Sequence, residues 1–295
     1  MSHQNVQVTV EELQRENARL TALLDANGIE WRKSAPPKDQ TAAPHEQIRL
    51  STAQKISLFK QLFRGRQDIF PVRWQSKASG KAGYSPACAN EWLPGICEKP
   101  RIKCADCSNR QFVPLSDALF YDHLTGEQTI GVYPLLTDET CNFLAADFDD
   151  SEWRQDVSAF KKSCDDLGVP VSIEISRSGS GAHAWIFFAG RPLARDARRL
   201  GTAIISHACS RTRQLKLESY DRLFPNQDVM PKGGFGNLIA LPLQKTPRES
   251  GCSVFVDADF KPFPDQWAYL AAVIQMPVQD IEPTILRATG GVHPL

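Results

Sequence analysis

The spacing of apolar residues changes period several times along the chain, and each change marks a predicted element. Val6, Val10, Leu13, Asn17, Leu20 and Leu24 recur at alternating steps of four and three residues, a heptad seam closed by Gly28. The seam predicts a helical leader over residues 1–30. It is either paired with a second copy as a short coiled coil, with Asn17 setting the register, or packed singly on its own domain. The first reading implies a homodimer through the leader. Residues 31–47, which include KSAPPKDQTAAPHE, have the Pro, Ala and polar composition of a linker. Ile48, Ile56, Phe59 and Phe63 then predict a helix that leads into RGRQDIFPVRW, within a helical and cysteine-bearing basic segment over 48–128.

From Thr129 the pattern alternates between strand and helix periods, which predicts an α/β (α+β) domain over 129–280 and a C-terminal tail over 281–295. TIGVYPLL and NFLAADFD read as strands. EWRQDVSAFKKSCDDLG reads as a helix with Trp153, Val157, Phe160, Cys164 and Leu167 on one face and Gly168 as its stop. VSIEIS follows as a strand with Val171, Ile173 and Ile175 inward, so strand, helix and strand form a unit whose two strands run parallel. The turn RSGSGA and the strand HAWIFF make an antiparallel hairpin with it. A helix carrying Leu200, Ile204 and Ile205, strands in LESYDRLF, GNLIALPL and SVFV, and a last helix in PDQWAYLAAVIQ complete the domain.

Composition alters this picture little, since 42% hydrophobic and 23% charged residues in a chain of 295 describe an ordinary globular protein and exclude disordered and fibrous classes. No apolar run approaches the roughly 18 residues that span a bilayer, and the opening MSHQNVQVTVEEL lacks a signal pattern, so the expected location is cytoplasmic. Charge alters it more. Lys plus Arg and Asp plus Glu balance at 34 each, yet residues 46–115 hold 12 basic against 5 acidic side chains and residues 116–175 hold 3 against 13. A basic surface for a polyanion beside an acidic pocket for cations fits that division.

Cys88, Cys97, Cys104 and Cys107 form C-x8-C-x6-C-x2-C in a loop-like stretch without a sustained apolar period. Four thiolates satisfy tetrahedral Zn²⁺, and a segment with almost no core of its own needs such ligation to fold. An iron–sulfur cluster takes the same ligands. Cys141, Cys164, Cys209 and Cys252 sit singly in apolar runs, as core cysteines do.

Asp147 and Asp149, two apart in FLAADFDD, project from one face at the end of an apolar strand and suit divalent metal ions that bridge to a phosphate. In SRSGSGAHAWIFF, Gly179 and Gly181 allow a tight turn whose amides can face an anion. Ser176, Arg177, Ser178 and Ser180 add donors, and His183 shares a face with Trp185 and Phe187. A phosphate cradle beside paired carboxylates suits triphosphate chemistry. A third acid would complete a two-metal site, and Asp221 in the strand-like ESYDRLF is a better candidate than Asp228. Lys232, in the Gly-rich MPKGGFGNL, is placed to approach a phosphate chain. No G-x-S-x-G elbow is present, which removes a serine hydrolase.

Together, D-F-D at 147–149, S-G-S-G-A-H at 178–183 and Y-D-R-L-F-P-N-Q-D ahead of G-F-G-N-L-I-A-L-P-L-Q resemble the archaeo-eukaryotic primase (AEP) superfamily. The likeness is to primase-polymerase domains of the TOTE conflict-system type, which also occur in CRISPR-associated primase-polymerases, and it runs from about Leu62 to Ala272. It implies a catalytic core with a split sheet like an RNA-recognition (RRM) fold, a zinc-binding insertion and a helical leader. The implied function is a DNA-dependent primase-polymerase that transfers nucleotides from NTP or dNTP to a primer 3′-hydroxyl or a starting nucleotide. Asp147, Asp149 and Asp221 would hold Mg²⁺ or Mn²⁺ and act in catalysis. Arg177, Ser178, Ser180, His183 and Lys232 would bind the nucleotide. Arg64, Arg66, Arg73 and Trp74 would follow single-stranded DNA template by phosphate contact and stacking. The small residue ahead of the histidine is Gly181 rather than Ser, which leaves no hydroxyl there. Helicase or nuclease modules, or CRISPR adaptation proteins, are the partners the resemblance implies, and no Walker-type G-x-x-x-x-G-K-[ST] is present in this chain. Two alternatives stand beside this reading: a metal-dependent nuclease on the same carboxylates, and a non-catalytic zinc-bearing module that binds single-stranded nucleic acid.

Overall fold

The structure, a computed structural model, describes residues 15–24, 26–27, 49–211 and 218–291. It divides into two compact units, Met1–Arg49 and Leu50–Leu295. In the first, residues 15–24 are helical (α1). The Thr21 hydroxyl donates to the Asn17 carbonyl at 2.8 Å, Arg19 pairs with Glu16, and Leu20 and Leu23 are exposed. Val6, Val10, Leu13 and Gly28 of the heptad seam, and the predicted linker, lie outside the described residues.

The second unit opens with α2 (Thr52–Leu62), the hairpin β1 (Pro71–Gln75) and β2 (Ala82–Pro86), α3 (Asp117–Thr125) and β3 (Gly131–Val132). It continues through β4 (Phe143–Asp149), α4 (Trp153–Leu167), β5 (Ser172–Ile175), β6 (Gly181–Phe187), α5 (Ala194–Arg211) and β7 (Tyr220–Phe224). It closes with β8 (Ile239–Ala240), α6 (Lys245–Glu249), β9 (Val254–Val256), α7 (Gln266–Ala271) and α8 (Ile281–Ala288). Ser51 caps α2 in a capping box with Gln54, and Gly168 ends α4 at φ 72°, a left-handed turn that glycine adopts without strain.

The central sheet has the order β7-β4-β6-β5-β9 with every neighbour antiparallel. β4 and β5, the strands on either side of α4, therefore run parallel but are split by β6, as the resemblance implied. TIGVYPLL and GNLIALPL contribute less than predicted. Only β3 and β8 form, and they pair with each other outside the main sheet. Pro134 and Pro242 cannot donate to a ladder, which limits both strands to two residues. Between them, buried His123 of α3 ties helix to strands: its Nδ1 accepts from Ile130 N–H at 3.2 Å, and its Nε2 lies 2.9 Å from the Pro242 carbonyl. Residues 281–288, expected within a tail, form α8, because Ile281 and Ile285 recur one turn apart and bury.

Both faces of the sheet are covered. On the back, Phe148 of β4 meets Phe160 of α4, and Gly201 of α5 lies against Leu144 and Leu223. On the front, Phe63, at the end of α2, packs edge-on against Trp185 and Phe187 of β6. The segments predicted over 48–128 and 129–280 thus share one core. Among the described residues, no helix is long and apolar enough to cross a membrane.

Candidate active site

The front face changes character along its strands. Where β4 begins it is apolar, with Phe143, Trp185 and Phe187 buried. Where β4 leaves the sheet it becomes polar. The β4–β6 register sets Asp147 opposite His183 and Asp149 opposite Gly181, and the β5–β6 register sets Glu174 opposite His183. Period-two alternation puts these side chains on one face.

Asp147, Asp149 and Asp221 converge here, each offering a carboxylate oxygen within 4.8 Å of the others. Asp221 reaches the group through a bulge. β7 pairs Arg222 with Asp147 and then Tyr220 with Phe148, so Asp221 is the extra, unpaired residue. In unbroken alternation it would have faced the back of the sheet. Buried Asp156 of α4 fixes the entry to β7, its Oδ2 accepting from the Ser219 N–H at 3.0 Å and the Ser219 hydroxyl at 2.7 Å. Arg222 Nε donates to Asp221 Oδ2 at 2.6 Å. Asp228, the other acid considered, pairs with Arg198 instead.

Gly181 is small for a local reason. A Cβ there would lie 2.4 Å from Asp149 Oδ1 and 2.5 Å from the Phe148 carbonyl oxygen, so the Asp149 carboxylate occupies the space a serine would need.

Glu174, which the sequence reading passed over, is buried on the same face. Its Oε2 accepts from Trp185 Nε1–H at 2.9 Å and lies 2.8 Å from His183 Nδ1. A carboxylate only accepts, so His183 Nδ1 carries the proton, and Nε2 is turned to Asp147 Oδ1 at 3.4 Å. Burial would push the His183 pKa down, but Glu174 and the nearby aspartates raise it to about 9. Asp147 is raised to about 6, first by burial, with Asp149 and Asp221 adding repulsion and His183 and Arg222 opposing it. Three hard oxygen donors that repel one another, on a face with a single strongly buried acid among them, fit a divalent cation such as Mg²⁺ or Mn²⁺.

Residues 54–284 match the family described as TOTE conflict system, Archaeo-Eukaryotic Primase domain. The chain belongs to this family. No curated protein matches it. Among solved structures, the polymerase domain from Mycobacterium tuberculosis ligase D in complex with DNA is 14% identical, over 80% of this chain and 89% of that one, at a TM-score of 0.37.

Around the triad of this primase domain, the other expected residues fall into two groups. The β5–β6 turn stands beside it: Ser176, Ser178 and Ser180 link their hydroxyls at 3.0 and 2.9 Å, and Gly179 turns the chain at φ 79°. Arg177 Nε is buried there without a hydrogen-bond partner. Burial, and then the charge of Arg73, hold the Arg177 pKa below its ordinary value. Arg73, expected along a template path, is therefore also a neighbour of the turn.

The second group lies elsewhere. The Arg64 carbonyl accepts from Asn142 Nδ2 at 2.8 Å, just before β4, and seven residues at about 3.3 Å each separate Asn142 from Asp149. Arg64 is thus at the far end of the sheet. Arg66 Nε donates to Asp68 at 2.9 Å. Trp74 is exposed on β1, over Gly83. Lys232 is exposed on a loop that packs on the cysteine segment, where Arg110 donates to the Ala105 carbonyl at 2.6 Å and approaches that of Gly233 at 3.4 Å. Cys88, Cys97, Cys104 and Cys107 line one pocket with Asn90, Glu91 and Phe112, although their sulfurs do not share the 4.8 Å spacing of the aspartates. Four thiols around one space are the donor set of a zinc site.

Proposed function

We propose that this domain is a DNA-dependent primase-polymerase that adds nucleotides from a triphosphate to a 3′-hydroxyl or a starting nucleotide. The observation that carries the reading is the convergence of Asp147, Asp149 and Asp221 at the polar end of the front face, in a chain of the primase family. Bound Mg²⁺ or Mn²⁺ would supply charge neutralisation for the transferring phosphoryl group and lower the pKa of the attacking hydroxyl.

The remaining steps belong to the chain's own side chains. The three aspartates hold the cations. His183, fixed by Glu174, aims Nε2 at the same space, where a triphosphate oxygen bound beside Asp147 would meet it. Arg177 has an unpaired buried Nε, and the serine hydroxyls and turn amides beside it offer donors for phosphate oxygens. The four cysteines hold a structural Zn²⁺ in the basic segment, and Arg73 and Trp74 guide single-stranded template on the hairpin.

Extension of a labelled primer on single-stranded DNA with Mn²⁺ or Mg²⁺ tests this. Asp149→Ala removes one ligand from the edge of a strand, so turnover should fall by a factor of 1,000 or more, on the order of the loss of a group that acts on the transition state, with melting unchanged. Equal extension by both proteins refutes the site. Cleavage of the primer in place of extension assigns the carboxylates to a nuclease.

A further inference from the structure

The cysteine segment exposes an apolar cluster that none of the roles above uses. Trp92 is 66% exposed, Leu93 42% and Ile96 40%. The loop that carries them is braced. Cys97 N–H donates to the Leu93 carbonyl at 2.9 Å, Asn109 Nδ2 to the Ile96 carbonyl at 3.1 Å, and Asn90 Nδ2 to the Asn109 carbonyl at 2.6 Å. Trp92 itself is held at φ 60°, a conformation that costs a non-glycine residue about 1 kcal/mol or more and persists only where the surroundings impose it. The ring is therefore presented to solvent by its framework.

Its neighbour is a cation. Lys99 Nζ lies 5.7 Å from the Trp92 ring centroid, held there by Glu91 Oε1 at 2.7 Å. Glu91 also accepts from the Ser85 hydroxyl of β2 at 3.3 Å, which ties the loop to the β1–β2 hairpin. There Trp74, 46% exposed, lies over Gly83, and residues 71–86 carry Arg73, Lys77 and Lys81 with no acid. Two exposed flat rings on adjoining pieces of one segment, with the basic side chains of the hairpin between them in sequence, complement the alternation of base and phosphate in a single strand. A folded protein partner would find the apolar surface interrupted by these cations.

We propose that Trp92 is a base-stacking platform for single-stranded template, with the basic β1–β2 hairpin meeting the adjoining phosphates and Trp74 serving as a second platform. This rests on the template-directed reading. It adds the cysteine segment to the template path and gives that segment a ligand besides its metal.

The test uses the full chain and fluorescein-labelled oligo(dT), read by anisotropy. Trp92→Ala and Trp92→Leu should each raise Kd about tenfold, the loss of one stacked base, while Trp92→Phe stays within about threefold of wild type because a ring remains. The slope of log Kd against log salt should not change, since no phosphate contact is removed. Trp92→Leu keeps apolar bulk, so a drop in its affinity with an unaltered melting curve separates stacking from folding. Affinities of both Ala and Leu variants within twofold of wild type overturn the proposal, and a lower mass by light scattering in that case assigns the loop to self-association. If wild type binds no oligo(dT), the template reading falls and this one with it; if wild type binds and Trp92 does not matter, only this one falls.

Discussion

The chain carries two clusters of residues able to ligate a metal, and they are built in opposite ways. Asp147, Asp149 and Asp221 stand on strands whose register is set by a buried apolar face and by the bulge in β7. Cys88, Cys97, Cys104 and Cys107 stand on turns between β2 and α3, with one short 3-10 turn, Cys104–Asp106, among them. The first site is rigid because its scaffold folds on its own, and its ligands repel. The second has few regular elements, and ligation of a metal by its four thiols is the expected source of its folding energy. A ligand removed from the first should therefore cost activity and leave stability, while one removed from the second should cost stability first.

The sharpest test of that contrast pairs Asp149→Ala with Cys104→Ser. In small zinc domains ligation contributes about 10 kcal/mol or more to folding, so Cys104→Ser should lose its zinc by elemental analysis and expose residues 86–113 to limited proteolysis. Asp149→Ala should keep its zinc and its protease resistance. If the Cys104→Ser protein retains both, the cysteine segment folds without metal and the comparison collapses.

A smaller effect is expected at Glu174. Glu174→Gln keeps the shape and an accepting oxygen but removes the negative charge, so the His183 ring loses the ion pair that favours its charged form. Nucleotide affinity by equilibrium binding should fall about tenfold, of the size of one charge-assisted hydrogen bond, with metal affinity nearly kept. Unchanged nucleotide affinity would show that His183 needs no support from Glu174.

The smallest effect is one of pH. Asp147 titrates at about 6 without metal because burial, then its acidic neighbours, disfavour its charge. Its pKa is raised above the ordinary value of 3.8, so the metal-free fold holds a proton that the unfolded chain gives up, and stability declines as pH rises from about 4 through 6. Mn²⁺ must displace that proton. Its affinity should accordingly weaken by up to about tenfold per pH unit below 6 and be flat above 7, measured by calorimetry. A flat profile down to pH 5 would place the proton elsewhere.

Much of this was legible in residue spacing. The α4 face, the stop at Gly168, the β5–β6 hairpin and the Asp147 and Asp149 pair all follow from local periods of 3.6 or 2. What spacing did not show depended on partners. In VSIEIS the alternation sends Ile173 and Ile175 to one side and says nothing of what Glu174 meets on the other, where it is buried against His183 and Trp185. An acid between two isoleucines in a strand followed by H-A-W was the available signal. Asp156 was hidden likewise, on a helix turn whose partner, Ser219, is 63 residues away. The positions of Arg64 and Lys232 depended on where loops return, which local spacing does not encode.

The bulge in β7 has a consequence for inheritance. Asp221 faces its companions only because one more residue is threaded between Tyr220 and Arg222 than the ladder can pair. Competence at this position is thus recorded in the length of a strand as well as in the identity of a letter. Loss of a single codon there, or a slip of one residue in the pairing, would silence the third acid while every other residue of the domain stayed as it was. A descendant could in this way keep the fold and the surface and lose the convergence of its three acids, so that loss is recognised by counting between Ser219 and Phe224 as much as by looking for the aspartates.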